Sequence, residues 1–260
     1  MYETIDLACD ARGVARLALA RPDKHNAMSE QMLDELTDAA RALAEDAAVR
    51  VVVLEAQGKS FCAGGDLNWM RAQMELRADV RTQQAGKLAY MLRALAQLPQ
   101  PLIGKLQGNA FGGGVGLACV CDVAIGADTI LMGLTETRLG LIPATIGPYV
   151  IARMGQARAR RVFMSSRRFD AAEAVSLDLL TRAVAPDALE AAVEAEVIPY
   201  LSCAPGAVAE AKALIATLGG APDLEDITLS IEALTRRWDS AEAREGLAAF
   251  FAKHPPPWST

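Results

Sequence analysis

Gly108-Asn-Ala-Phe-Gly-Gly-Gly-Val-Gly-Leu117 is a glycine turn set between a strand and a helix. Before it, Pro101-Leu-Ile-Gly-Lys-Leu106 is a short apolar run that reads as a buried strand. After it, Ala118-Cys-Val-Cys121 reads as the body of a short buried helix. Three successive glycines let the backbone approach a bound molecule closely, and the first amides of a helix point outward without intrahelical partners. With the positive end of the helix dipole behind them, such amides can hold an anion or an oxyanion forming on a carbonyl. The same glycines can also serve only to pack the helix closely on its strand. No Gly-Lys-Ser/Thr ends the turn, so it is not a nucleotide P-loop, and it lacks the spacing of a dinucleotide fingerprint.

Working outward, Gly58-Lys-Ser-Phe-Cys-Ala-Gly-Gly-Asp-Leu-Asn-Trp-Met70 has the same form. It follows the fully apolar strand Val51-Val-Val-Leu54, which suggests a sheet buried on both faces, and it leads into a helix that Asp66 caps. Earlier, Val14 to Ala20 alternates as a strand and ends at the turn Arg21-Pro-Asp-Lys-His-Asn26. Ser29 then starts a helix with Met32, Leu33, Leu36, Ala39, Ala40 and Leu43 on one stripe. A helix over 80–98 ends at Pro99 and Pro101. Short strands over 122–126 and 130–132 precede the turn-rich Leu134-Thr-Glu-Thr-Arg-Leu-Gly-Leu-Ile-Pro143, and a helix follows over 146–154. This alternation predicts an α/β chain with crossover connections. From Asp170 onward the pattern reads as helix alone, over 171–180, 188–201, 204–218 and 224–253 with a break near Asp239-Ser240. The expected division is a core over 1–199 and a C-terminal helical subdomain over 200–260.

The 260 residues are 52% hydrophobic and carry a formal net charge of −6, which suits a large buried core and argues against nucleic acid as the main partner. No run approaches the roughly 20 apolar residues of a membrane span, and the N-terminal residues lack the pattern of a signal peptide, so a cytoplasmic protein without a membrane partner is expected. The five cysteines are scattered; Cys119-x-Cys121 has no second pair and reads as apolar packing rather than zinc binding. The two histidines, His25 and His254, accompany no Gly-x-Ser-x-Gly elbow.

Two glycine turns and one carboxylate in a later turn suit a reaction that develops negative charge on a carbonyl oxygen while a proton moves nearby. Phe61-Cys-Ala-Gly-Gly-Asp-Leu67, Gly108-Asn-Ala-Phe-Gly-Gly-Gly114, Cys121-Asp122, Glu136 and Gly140-Leu-Ile-Pro143 together resemble the enoyl-CoA hydratase/isomerase (crotonase) family. The resemblance runs from Arg21-Pro-x-x-x-Asn-Ala27 to Glu245-Gly-x-x-Ala-Phe250. It implies a spiral of repeated ββα turns, with C-terminal helices that build homotrimers or dimers of trimers. It also implies an acyl-CoA thioester as substrate, coenzyme A being part of that substrate, and neither a separate cofactor nor a metal. The thioester carbonyl would sit between the amides of Gly65 and Gly113, with Glu136 as acid and base. Lys24, Ala63, Asp66 and Leu67 would lie along the substrate path with Gly112. Trp69 and Met70 would wall the acyl pocket, and Lys253 would reach a neighbour's coenzyme A.

Hydratases of this family commonly hold the water with two glutamates. Glu136 matches the second, but Gly116 stands where the first belongs. Within the family, the Gly-Gly-Gly-Val-Gly-Leu and Asp-Leu-Asn-Trp-Met forms look most like the branch of 3-methylglutaconyl-CoA and isohexenylglutaconyl-CoA hydratases. The former serve leucine breakdown and the latter acyclic terpene breakdown. Substrates of that branch carry a second carboxylate, for which Arg138 and Arg71 are the expected receptors. A Δ3,Δ2-enoyl-CoA isomerase with Glu136 as the single proton shuttle is the alternative, and a non-catalytic acyl-CoA-binding scaffold is a third reading.

Overall fold

A computed structural model describes residues 2–258; Met1 at the start, and Ser259 and Thr260 at the end of the expected C-terminal subdomain, lie outside the described residues. In chain order the elements are β1 (Ile5–Cys9), β2 (Val14–Leu19), α1 (Glu30–Glu45), β3 (Val51–Ala56), β4 (Ser60–Cys62), α2 (Leu67–Glu75), α3 (Ala78–Ala96), β5 (Leu102–Leu106), β6 (Asn109–Phe111) and α4 (Gly113–Val120). There follow β7 (Val123–Ala127), β8 (Leu131–Gly133), α5 (Gly147–Val162), β9 (Arg168–Asp170), α6 (Ala171–Ser176), β10 (Arg182–Val184), α7 (Leu189–Leu201), α8 (Pro205–Gly219), α9 (Leu224–Trp238) and α10 (Ala241–Phe251).

The chain winds as a stack of strand-strand-helix turns. Each turn places one strand in a larger sheet, ordered β1-β2-β3-β5-β7-β10, and the next in a smaller one, ordered β4-β6-β8-β9. Within the larger sheet β2, β3, β5, β7 and β10 run parallel, which requires crossovers and explains why Val51, Val52, Val53 and Leu54 are fully buried. The stripe Met32, Leu33, Leu36, Ala39, Ala40 and Leu43 of α1 packs into the same core. Among the described residues no single helix is long and apolar enough to cross a membrane.

The structure corrects two expectations, over 170–184 and at the helix from 146, and adds two strands that the sequence reading did not include. The chain opens with β1, antiparallel to β2. The segment from Asp170 is not helix alone: α6 stops at Ser176 because Asp178 takes a left-handed backbone (φ 61°), and β10 then completes the larger sheet beside β7. The strand β9 pairs antiparallel with β8, an edge the short polar run Arg168-Phe-Asp170 did not signal. Finally, α5 continues past Met154 to Val162 across a break at Gly155 (φ 70°).

Candidate active site

The parallel pairing of β4 with β6, and of β6 with β8, delivers three loops to one end of the smaller sheet. The glycine turn after β4 holds Gly64 and Gly65, that after β6 holds Gly112 to Gly114, and the turn after β8 holds Glu136. The first two turns are in backbone contact: a Cβ on Gly64 would lie 3.2 Å from the Phe111 carbonyl oxygen, and one on Gly114 only 2.6 Å from that of Cys62. Glycine at these positions is therefore a requirement of close approach. Gly112, at φ +51°, would direct a Cβ to within 2.8 Å of Glu136 Oε1, so the carboxylate lies against the glycine turn itself.

Two backbone amides face the space between these loops. Met28 forms a parallel bridge with Gly65, donating to the Gly64 carbonyl at 2.8 Å and accepting from Asp66 at 2.9 Å. That pairing uses the amides on either side and turns the Gly65 N–H away from Met28. Gly113 is the first residue of α4, so its N–H has no intrahelical partner. Met28 links the two, because its Cε would sit 1.9 Å from a Cβ on Gly113.

Gly65, Gly113 and Glu136 line one cavity of about 100 Å³ with an otherwise largely apolar wall. Glu136 is the only acidic residue among those lining it. Glu136 is half-buried as a residue, but its Oε2 is fully enclosed and has no hydrogen-bond partner among the described residues. Burial pushes this carboxyl up to about 7, against a small opposing pull from its own backbone amide. The turn that carries it is clamped from the far side: Gly140, at φ +73°, packs on the Glu242 carbonyl at the start of α10, and Arg237 donates to the Gly140 carbonyl.

The expected residues divide into three groups. Trp69 and Met70 line the cavity with Gly65, Gly113 and Glu136, and the indole N–H donates to Gln84 at 3.0 Å. Lys24, Ala63 and Leu67 are exposed outside it, with the Ala63 amide donating to the His25 carbonyl at 3.0 Å. Gly112 backs Glu136, and Gly116 lies behind the wall. Asp66 does not line the cavity. It caps α2 by accepting from the amides of Asn68 and Trp69, and it pairs with Arg21 at 2.9 Å. Burial alone would raise its carboxyl, but the Arg21 hydrogen bond, the two amides and the Arg21 charge hold it below the usual carboxylate range.

Neither expected carboxylate receptor reaches the cavity. Arg138 is exposed on another face with Met164 and Trp258, and Arg71 stacks 4.6 Å over the Phe251 ring. Lys253 is exposed after α10 and does not line the cavity.

Sequence reasoning missed Met28, Gln73, Arg81, Thr145 and Ile146, all in the cavity wall. Ile146 carries the most consequence. A Cβ on Gly116 would lie 2.6 Å from Ile146 Cγ2 and 3.4 Å from Leu92 Cδ1, so hydrocarbon occupies the space a side chain at 116 would need. Arg21 was visible only as part of a motif. Its guanidinium ties Asp66 to the Ala27 carbonyl, while the buried Asn26 (φ 53°) donates to the carbonyls of Gln57 and Ser60.

A profile described as enoyl-CoA hydratase/isomerase matches residues 10–260. The enoyl-CoA hydratase ACTT6 of Alternaria alternata is 34% identical over 215 residues, covering 82% of this chain and 68% of that protein. Among solved structures, an enoyl-CoA hydratase from Mycobacterium avium superposes with a TM-score of 0.88 at 32% identity, covering 100% of both chains. One from Shewanella pealeana does so with a TM-score of 0.81 at 37% identity, covering 99% of this chain and 97% of that one.

Proposed function

Because this chain belongs to the enoyl-CoA hydratase/isomerase family and has its α/β crotonase fold, we propose that it adds water to an α,β-unsaturated acyl-CoA with Glu136 as its only acid-base side chain. The observation that carries this reading is the single carboxyl, buried, raised to about 7 and set against the Gly112 turn in a cavity that two unpaired amides also line. The thioester carbonyl accepts from the N–H groups of Gly65 and Gly113. The water oxygen bonds to the β-carbon as Glu136 takes its proton, and the electron pair of the double bond moves onto the thioester oxygen as an enolate. Each amide aimed at that oxygen is worth roughly 3 kcal/mol. Glu136 then returns its proton to the α-carbon, which restores the carboxylate and the carbonyl. A carboxyl that titrates near neutrality suits both halves of this cycle.

Isomerisation is the second reading, and the filled space beside Gly116 favours it, since no second carboxylate is present to hold a water. Glu136 would take a proton from C2 of a 3-enoyl-CoA and deliver it to C4, with the same enolate between the two steps. Coenzyme A enters as part of the substrate, with Lys24 and the Ala63 lip along its path, and the chemistry asks for no separate cofactor.

We assign a branched, 3-methylglutaconyl-type acyl group on the form of the two glycine motifs. Residues 200–260 serve as a helical unit that joins copies of the chain into a trimer or a dimer of trimers. The support is α8, which buries none of its residues and exposes Leu214, Ile215 and Leu218. Light scattering should then give a multiple of three chains of 27.6 kDa.

Mass spectrometry in heavy-oxygen water tests the chemistry, with 3-methylglutaconyl-CoA, crotonyl-CoA and a 3-enoyl-CoA. Label gained by a 2-enoyl substrate and lost in Glu136→Gln supports hydration, and unlabelled conversion of the 3-enoyl substrate supports isomerisation. No conversion of any of the three would favour a different acyl-CoA or the scaffold reading.

A further inference from the structure

Part of the cavity wall is not apolar. The cavity runs between α3, which contributes Arg81, Ala85 and Leu88 at helical spacing, and α9, which contributes Leu234 and Trp238. In that wall stands Arg81, whose side chain is nine-tenths buried. Its Nη1 donates to the Leu76 carbonyl at 2.6 Å and its Nη2 pairs with Asp239, the residue after Trp238. These two anchors fix the guanidinium plane and leave Nε buried with no partner among the described residues. Gln73, also buried, lines the same cavity from the other side of the Leu76 corner and makes no side-chain hydrogen bond to another described residue.

An enclosed N–H donor in a largely apolar cavity costs stability unless a ligand completes it, and the Gln73 amide in the same wall is free to join it. Asp239 does not supply what is missing: it is half-exposed, so water screens it, and it engages only Nη2. We propose that Arg81 and Gln73 form a receptor for a carboxylate at the far end of the acyl group, so that the substrate is a dicarboxylic acid joined to coenzyme A at one end. This rests on the placement of the thioester carbonyl at Gly65 and Gly113. From there the exposed Ala63 and Lys24 lie outside the cavity along the coenzyme A path, and the acyl chain extends into the cavity whose wall includes Arg81 and Gln73. The carboxylate would accept from Arg81 Nε–H and from the Gln73 amide, with the guanidinium charge adding to both bonds. The receptor thus lies on α2 and α3 and not at Arg138 or Arg71.

Binding of saturated thioesters, which cannot turn over, separates this from the catalytic reading. Titration calorimetry would compare glutaryl-CoA with pentanoyl-CoA, and adipyl-CoA with hexanoyl-CoA, in the wild-type protein and in Arg81→Met and Gln73→Glu. The diacid should bind at least tenfold more tightly in one pair. That preference should collapse in Arg81→Met and reverse in Gln73→Glu, which adds a like charge and spares the Arg81 anchors. Equal binding within both pairs would overturn the proposal, as would a preference that survives both substitutions. If the methyl ester of the preferred diacid bound as tightly as the acid, the carboxylate assignment would also fall. A diacid preference in a protein that converts no enoyl-CoA would refute the catalytic reading and leave this one standing.

Discussion

Glu136→Gln should stabilise the protein at neutral pH while disabling it, and the stabilisation should depend on pH in a defined way. Burial raises the carboxyl from 4.5 to about 7, and at about 1.4 kcal/mol per pH unit the ionised folded protein is penalised by about 3 kcal/mol. The sign follows from proton binding. Between the two values the folded state keeps a proton that the unfolded state has released, so wild-type stability falls as pH rises through this window. Glutamine does not titrate and escapes that loss. The variant's advantage should therefore grow from about 1 kcal/mol at pH 5 to about 3 kcal/mol at pH 8, on top of any pH-independent offset from packing the amide. Urea unfolding of both proteins at matched concentration from pH 5 to 8 measures the difference. Turnover should drop by about 10²–10⁴-fold, the usual worth of a positioned general base. A stability difference that stays constant across this range would refute the reasoning, because the carboxyl would then not be desolvated in the folded state.

Gly113→Ala drives its Cβ to 1.9 Å from Met28 Cε and should cost about 1–3 kcal/mol by thermal unfolding. Met28→Ala in the same chain should recover part of that loss. Gly116→Glu should be severely destabilising alone, since Ile146 occupies its space. Paired with Ile146→Ala, it should raise crotonyl-CoA hydration above that of Ile146→Ala alone, with label from heavy-oxygen water as the readout. Arg21→Ala strands a buried Asp66 and should cost about 3 kcal/mol in urea unfolding at pH 7. In the wild type the lowered Asp66 carboxyl contributes stability above the ordinary value of 3.8 and loses it as pH falls below. Acid unfolding should therefore separate the two proteins least at the lowest pH.

Much of the site was legible because backbone geometry forces residue type. Gly64, Gly112 and Gly114 stand where a Cβ would strike another loop, so the two turns marked themselves in the sequence. Glu136 was legible only through the resemblance, since one glutamate in a turn carries no signal of burial. Apolar patterning gave β3 and the inward stripe of α1, and the break expected near Asp239-Ser240 falls between α9 and α10. The three-residue strands β9 and β10 were not legible, because pairing with β8 and β7 decides them and no local pattern that short does. The misplaced carboxylate receptor has a similar cause. Arg138 is near Glu136 in sequence but faces away on a 3-10 turn, whereas Arg81 reaches the cavity from α3 through tertiary packing.

The central claim is that one buried carboxyl moves the proton. The pH dependence of kcat/KM from 5 to 9, on whichever enoyl-CoA proves to be the substrate, tests it most directly. The rate should climb with a single inflection near 7 as Glu136 ionises, and the residual rate of Glu136→Gln should show no such inflection. A wild-type profile flat through neutrality, or one that Glu136→Gln reproduces, would contradict it.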